Sequence, residues 1–338
     1  MKIGYCTMNH SDLSVEEVCK LVSKLGYDAV ELPAYTGNGQ TDVDELLKGG
    51  SAKKLKEMVE SYGLFISGLS NHADSPLIMG PYSRGMDSIC PGTREEKIKF
   101  GQESMIKAGR LAAELGLKHV VAFSGMENYG HINDWPEADG WKYEEEQFAE
   151  KWGYVFDEYK KLGVKVAFEA HPNNVVYDIH STLRLLEVAG YHESFMLNFD
   201  PANVYFSGID VYCFAQVLCD RIATVHAKDC EIIQHNLPMG GLNMYMQDRF
   251  VRKDRSFRFR IPGWGDINWK KLISLLYLGG YDGVYNYEDE DVIMSIADGD
   301  KKTIEYLRPL MIDAPYEGRS DKLFTKLGDC ESKGERKK

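Results

Sequence analysis

The chain has 338 residues, 43% of them hydrophobic, and a net charge of −12 at neutral pH, enough apolar content for a large buried core. The acidic balance argues against a nucleic-acid binder, which needs a basic face to neutralise phosphates, and the lack of any run of about 18 apolar residues argues against a membrane span. The start, MKIGYCTMN, does not read as a signal peptide, and seven cysteines without C-x-x-C spacing read as reduced thiols of a cytoplasmic protein.

In chain order, strand-like apolar runs fall at 2–8, 29–35, 65–71, 119–125, 165–171, 195–201, 222–228 and 283–289. Helical periodicity lies between them. In VEEVCKLVSKLG the apolar positions are 15, 18, 21, 22 and 25, one face of a helix. The segments 51–63, 95–116, 145–163, 179–190, 268–280, one near 208–219 and one near 299–310 follow the same period. Several of these helices end in Gly and run straight into the next strand, as in KLGYDAVEL, ELGLKHVVA and KLGVKVAFE. Gly just past a helix is a left-handed stop, and repeated helix–Gly–strand units are the pattern of parallel βα folds. Eight such units predict a closed (β/α)8 TIM barrel over residues 1–312, followed by a charged C-terminal tail over 313–338. An open doubly wound sheet would carry a Gly-rich phosphate turn after its first strand, and TMNHSD has no glycine.

Three connections, roughly 72–94, 127–143 and 230–262, are too long for plain turns. Each follows a strand, so each is expected at the C-terminal face of the barrel, where active sites sit. They contain Trp135, Trp141, Met239, Met244, Tyr245 and Met246, side chains suited to roofing a substrate or meeting a partner subunit.

Four late strands end in polar groups: Glu169 in FEAHP, Asp200 in NFDPAN, His226 in VHAKD and Glu288 in YEDED. On one barrel rim they would bring three carboxylates and an imidazole together. Close carboxylates raise one another's pKa unless a cation intervenes. An oxygen-rich site with one His suits Mn²⁺, Mg²⁺ or Co²⁺ better than a thiolate zinc site.

FEAHP, NFDPANVYF, VHAKD, IPGWGDINW and NYEDE together resemble the sugar isomerase/epimerase superfamily of xylose-isomerase-like barrels, over about residues 1–312. The resemblance implies one divalent metal, Mn²⁺ first, bound by Glu169, Asp200, His226 and Glu288. In ketose epimerases of that superfamily the two ligand glutamates also move protons, so Glu169 and Glu288 inherit that role. His171 is expected on the inward face with Glu169, as a base, a substrate contact or the cap of a loop carbonyl. Lys228 is a candidate for a substrate oxygen or a partner of Asp229. Asn203 is a candidate for substrate or for holding the DPAN turn, and Arg260 resembles a family substrate-binding arginine. His72 and His131 lie in long loops; both can reach a bound sugar, and solvated loop positions are the preferred expectation.

A closer resemblance, in MKIGYCTMNHSDLS, ENYGHINDW and the insertion 230–262, is to the larger subunit of bacterial C-glycoside deglycosidases. It implies C2 deprotonation of a 3-oxo-C-glucoside, a metal-stabilised enolate, loss of the aglycone carbon by β-elimination, and a small β subunit as partner. The alternative is a sugar or polyol epimerase, isomerase or dehydratase working through a metal-bound enediolate. A metal-dependent DNA repair nuclease on the same barrel is disfavoured, because Asn203 stands where a further His ligand is expected and the chain is acidic.

Overall fold

The first helix begins where the sequence supplies a cap. Ser14 accepts a hydrogen bond from the Glu17 amide, and the Glu17 carboxylate accepts one from the Ser14 amide, so two donors that lack helical partners are satisfied. Thr93 and Glu96 open the long helix at Arg94 in the same way. The first helix stops at Gly26, whose φ of 93° is left-handed and open to glycine without a Cβ clash.

The computed structural model describes residues 1–127, 138–242 and 254–314. Its strands are β1 (Lys2–Cys6), β2 (Ala29–Pro33), β3 (Phe65–Asn71), β4 (His119–Ala122), β5 (Lys165–Glu169), β6 (Phe195–Phe199), β7 (Ile222–Ala227), β8 (Asp229–Ile232), β9 (Phe257–Arg260) and β10 (Val284–Tyr287). Its helices are α1 (Val15–Leu25), α2 (Val43–Leu46), α3 (Ser51–Ser61), α4 (Arg94–Leu115), α5 (Gly140–Leu162), α6 (Ile179–Val188), α7 (Pro201–Phe206), α8 (Val211–Leu218), α9 (Leu237–Gly240), α10 (Trp269–Leu278) and α11 (Ile296–Leu307). The strands β1, β10, β7, β6, β5, β4, β3 and β2 pair in that order into a closed parallel barrel. The fold is therefore the expected (β/α)8 TIM barrel.

Close packing inside the barrel explains some unusual residues. Gly4 on β1 lies opposite Asn286 on β10, and a Cβ at Gly4 would stand 2.0 Å from the Asn286 Oδ1. Glycine there makes room for a polar side chain inside the barrel. Outside it, Phe148, Trp152 and Phe156 of α5 pack on Phe168 of β5 and Phe195 of β6. Trp152 is fully buried and its Nε1–H donates to the Ser124 carbonyl at 2.9 Å. Truncating a buried Trp costs about 3–5 kcal/mol, so this layer fixes how α5 lies against the strand that carries Glu169.

Several expectations need correction. All eight predicted barrel strands exist, but seven are shorter than predicted at their C-terminal ends. Residues such as Thr7, Ala170 and Lys228 leave the ladder there to build the rim. The segment near 208–219 is α8, preceded by the separate short helix α7. The insertion 230–262 is not plain loop. Its arms form an antiparallel ribbon, with Asp229 opposite Arg260 and Ile232 opposite Phe257. Trp141 packs against the main core from α5. Trp135, Met244, Tyr245, Met246 and the tail from 315 onward lie outside the described residues. Among the described residues no helix is long and apolar enough to cross a membrane, and six cysteines are free thiols.

Candidate functional site

Strand direction decides what meets at the mouth of the barrel. Glu169 is the last residue of β5, Asp200 caps the N-terminus of α7 directly after β6, His226 lies one residue from the end of β7, and Glu288 follows β10. The His226 Nδ1 stands 3.1 Å from Glu169 Oε2 and 3.4 Å from Glu288 Oε2. On its other side, His226 Nε2 lies 3.0 Å from Glu31 Oε1. The second oxygen of Glu31 accepts from Asn286 Nδ2 at 3.0 Å. Asn198 donates to Glu169 Oε2 at 2.8 Å, and Asn203 donates to Glu169 Oε1 at 2.7 Å.

Asp200 belongs to the same cluster through different contacts. Its Oδ1 accepts the amides of Ala202 and Asn203, which is why α7 starts there. Its Oδ2 accepts Asn203 Nδ2 and the Lys228 ammonium, both at 2.8 Å. Lys228 also donates to Glu288 Oε2 at 2.7 Å and to Glu290 Oε2 at 3.0 Å. Its Nζ lies 4.8 Å from the centre of the Phe259 ring on the ribbon.

The charges in this buried cluster are strongly interdependent. Burial disfavours the Lys228 ammonium, but Asp200, Glu288 and Glu290 outweigh it and hold its pKa above the ordinary lysine range. Burial opposes the His226 imidazolium too, and Glu31, Cys6, Glu288 and Glu169 reverse the balance and raise its pKa. Glu169 stays well below the usual carboxylate range: His226 and His72 overcome its desolvation. Burial drives Asp200 up to about 7, Lys228 pulling it down and Glu169 and Glu288 pushing it further up. The cluster therefore calls for positive charge at the Nδ1 face of His226.

Metal-ligand geometry answers that call. One atom each of Glu169, His226 and Glu288 lies within 4.8 Å of the others. The His226 Nδ1 is buried and makes no hydrogen bond. With a cation in place of the Nδ1 proton, Glu31 would keep the remaining proton on Nε2 and leave the Nδ1 lone pair turned toward Glu169 and Glu288. Two carboxylates and an imidazole suit a hard divalent cation. Asp200 lies outside that tight triad, its oxygens engaged by α7, Asn203 and Lys228. Cys6, Glu31 and His226 form a second grouping on the Nε2 side, but burial and then Glu31 raise the Cys6 thiol to about 12, too high for a thiolate donor at neutral pH.

The remaining sequence-predicted residues fall differently. His171 takes no direction from strand pleat, because β5 ends at Glu169; its ring lies 5.0 Å from that of Phe123 and feels the Glu169 charge. Its Nδ1 meets the Pro172 carbonyl at 2.5 Å, the carbonyl-capping alternative. His72, expected in solvent, is half-buried against Phe123, with Nε2 3.2 Å from Glu169 Oε2, close enough for ion pairing but outside hydrogen-bond geometry. Lys228 pairs with Asp200, Glu288 and Glu290, and not with Asp229. Asp229 instead accepts the amides of Cys230, Gly263 and Ile267 and the Trp269 indole, pinning the PGWGDINW turn. Asn203 bridges Glu169 and Asp200 as well as capping the turn. Arg260 pairs with Asp291 and Glu231 at 2.9 and 3.0 Å. His131 lies outside the described residues. Phe257 and Phe259, the ribbon's described aromatics, are buried against Ala202, Tyr205 and Phe206 and so wall the site from behind.

Glu31, Asn198 and Asn286 were missed by sequence reasoning. Each is a single polar residue inside an apolar strand, in AVELP, FMLNF and VYNY. A buried polar group needs a partner, and that requirement was the available signal.

The family model of xylose isomerase-like TIM barrels matches residues 19–310. An uncharacterized Bacillus subtilis (strain 168) protein, YfiH, is 26% identical in an alignment of 327 positions that covers 91% of this chain and 98% of that protein. The fold is similar to that of a probable 3-DHS dehydratase, AsbF, from Bacillus anthracis (TM-score 0.64, 17% identity, 91% of this chain and 99% of that one). It is equally similar to that of the 3-keto-D-glucoside 4-epimerase YcjR from E. coli (TM-score 0.64, 15% identity, 91% and 99%). The barrel, its rim of strand-end carboxylates and the match over most of its length place this chain in the xylose isomerase-like TIM barrel family.

Proposed function

We propose that this protein removes the proton next to the carbonyl of a sugar or a cyclic polyol-derived ketone, and so acts as an epimerase, isomerase or dehydratase. The observation that carries this reading is the convergence of Glu169 and Glu288 on His226 Nδ1, at 3.1 and 3.4 Å. A divalent cation (Mn²⁺, Mg²⁺ or Co²⁺), held there by Glu169, His226 and Glu288 with Asp200 beside them, would supply positive charge for the oxygen that gains electron density. Glu288, the more exposed of the two glutamates at 23% against 2%, is the one a substrate C–H can reach most directly. Glu169, ionised and oriented by Asn198 and Asn203, takes the complementary role of returning a proton from the other side. Return to the opposite face gives an epimer. Return to the neighbouring carbon gives an isomer, and loss of a β-hydroxyl gives a dehydrated product.

Relatives of fold that are named as a dehydratase and as a 3-keto-glucoside epimerase support this class. The test is incubation of Mn²⁺-loaded protein in D₂O with 3-keto-D-glucosides, ketohexoses and a keto-cyclitol. Deuterium should enter beside the carbonyl, and Glu169→Gln or Glu288→Gln should abolish it. No exchange into any of these ketones would refute the reading.

A second reading shares the first proton removal. With an aryl carbon as the leaving group β to the carbonyl of a 3-oxo-C-glucoside, the same site becomes a carbon–carbon lyase, a C-glycoside deglycosidase working with a small partner subunit. The 3-keto-D-glucoside in the name of a fold relative is the substrate class that this reading shares with the first. Release of free aglycone from a 3-oxo-C-glucoside, with and without the candidate small subunit, separates the two readings.

A further inference from the structure

The Lys228 ammonium sits where a cation is wanted. It donates to Asp200 Oδ2, Glu288 Oε2 and Glu290 Oε2 at 2.8, 2.7 and 3.0 Å, and its side chain is 4% exposed. Its neighbours come from three elements: the α7 cap, the segment after β10, and the ribbon through Phe259. One of the three carboxylates it holds, Glu288, belongs to the triad assigned above to the metal, and Asp200 lies beside that triad. Glu288 Oε2 is the same oxygen that faces His226 Nδ1 at 3.4 Å. A divalent ion at Nδ1 must therefore draw Glu288 away from the ammonium or share it.

We propose that Lys228 is a resident counter-cation that competes with the divalent metal for Glu288 and Asp200, and so sets how tightly the protein holds its metal. This rests on the reading that Glu169, His226 and Glu288 form the metal centre. Without a metal, Lys228 keeps Asp200, Glu288 and Glu290 from repelling one another, so the rim stays assembled. With a metal, the ammonium becomes a nearby like charge and weakens the site. Lys228 is in this sense a positioning residue, and it makes the metal exchangeable.

Calorimetric titration of metal-free protein with Mn²⁺, paired with melting of metal-free and loaded forms, tests this without using activity. Lys228→Met is expected to bind Mn²⁺ at least tenfold tighter than the unmodified chain, about 1.4 kcal/mol. Its metal-free form should melt lower, and saturation with Mn²⁺ should raise its melting temperature by more than it raises that of the unmodified chain. Lys228→Arg, which keeps the charge, should bind like the unmodified chain. Equal or weaker binding by Lys228→Met, or equal gains in Lys228→Met and Lys228→Arg, overturns the proposal while leaving the metal centre standing. If neither the unmodified chain nor Lys228→Met takes up Mn²⁺, the metal centre itself fails and the proposal falls with it. Should Lys228→Met not fold, Lys228→Gln is read by the same criteria.

Discussion

Glu31→Gln isolates the contact that aims His226. Glu31 offers one oxygen to His226 Nε2 and the other to Asn286 Nδ2, each at 3.0 Å. Glutamine keeps one acceptor and adds a donor. Asn286 Nδ2 retains Thr224 Oγ1 at 3.1 Å, so the remaining oxygen should go to His226. The bond to Nε2 then loses its ionic half, which is roughly half its strength. The new amide faces the Asn286 donor, and a buried unpaired donor costs about 1–3 kcal/mol. Loss of such an orienting partner lowers metal affinity by about 10–100-fold, or about 1.4–2.7 kcal/mol. Titration of metal-free Glu31→Gln with Mn²⁺, alongside a melt confirming a folded chain, measures this. Affinity within twofold of the unmodified chain would refute the claim that Glu31 fixes the His226 lone pair.

Asp229→Asn should destabilise the fold by roughly 2–4 kcal/mol, because the amide nitrogen would face two of the four N–H donors now aimed at the carboxylate; an unchanged urea midpoint would count against that role. Burial lowers the His119 pKa, with Glu31 opposing, so the folded chain keeps this ring neutral while the unfolded chain takes up a proton below about 6.5. Its contribution to stability is full above that pH and lost as pH falls through the folded value, so His119→Gln should flatten the decline in melting temperature below about pH 6.5; an identical slope in both proteins would refute it. Asn203→Ala removes the bridge between Glu169 and Asp200 and should slow deuterium exchange at least tenfold, about 1.4 kcal/mol in barrier, with the Mn²⁺-loaded chain still folded. Exchange at the original rate would make Asn203 a turn residue alone.

The barrel was legible because its evidence is repeated. Each helix carries its own period and each stop its glycine, so Gly26, Gly116 and Gly163 reinforce one reading. The four rim residues were legible because a polar group ending an apolar strand is costly unless it has partners. His171 follows the end of β5, where alternation no longer applies and only tertiary structure sets the direction of its ring. His72 was misjudged because its burial depends on Phe123, 51 positions away in the chain. The ribbon was hidden by composition: FRFR reads as a basic stretch, although Phe257 and Phe259 turn inward between Arg258 and Arg260, the period of a strand.

The ribbon's attachment has a wider meaning. Its two arms leave the barrel beside His226 and return beside Pro262, and Asp229 clamps the junction to the following turn. The strand that carries His226 is therefore held at its junction with the ribbon. Anchored in this way, rim and appendage are mechanically separable, so a change in the ribbon need not pass to the strand beneath it.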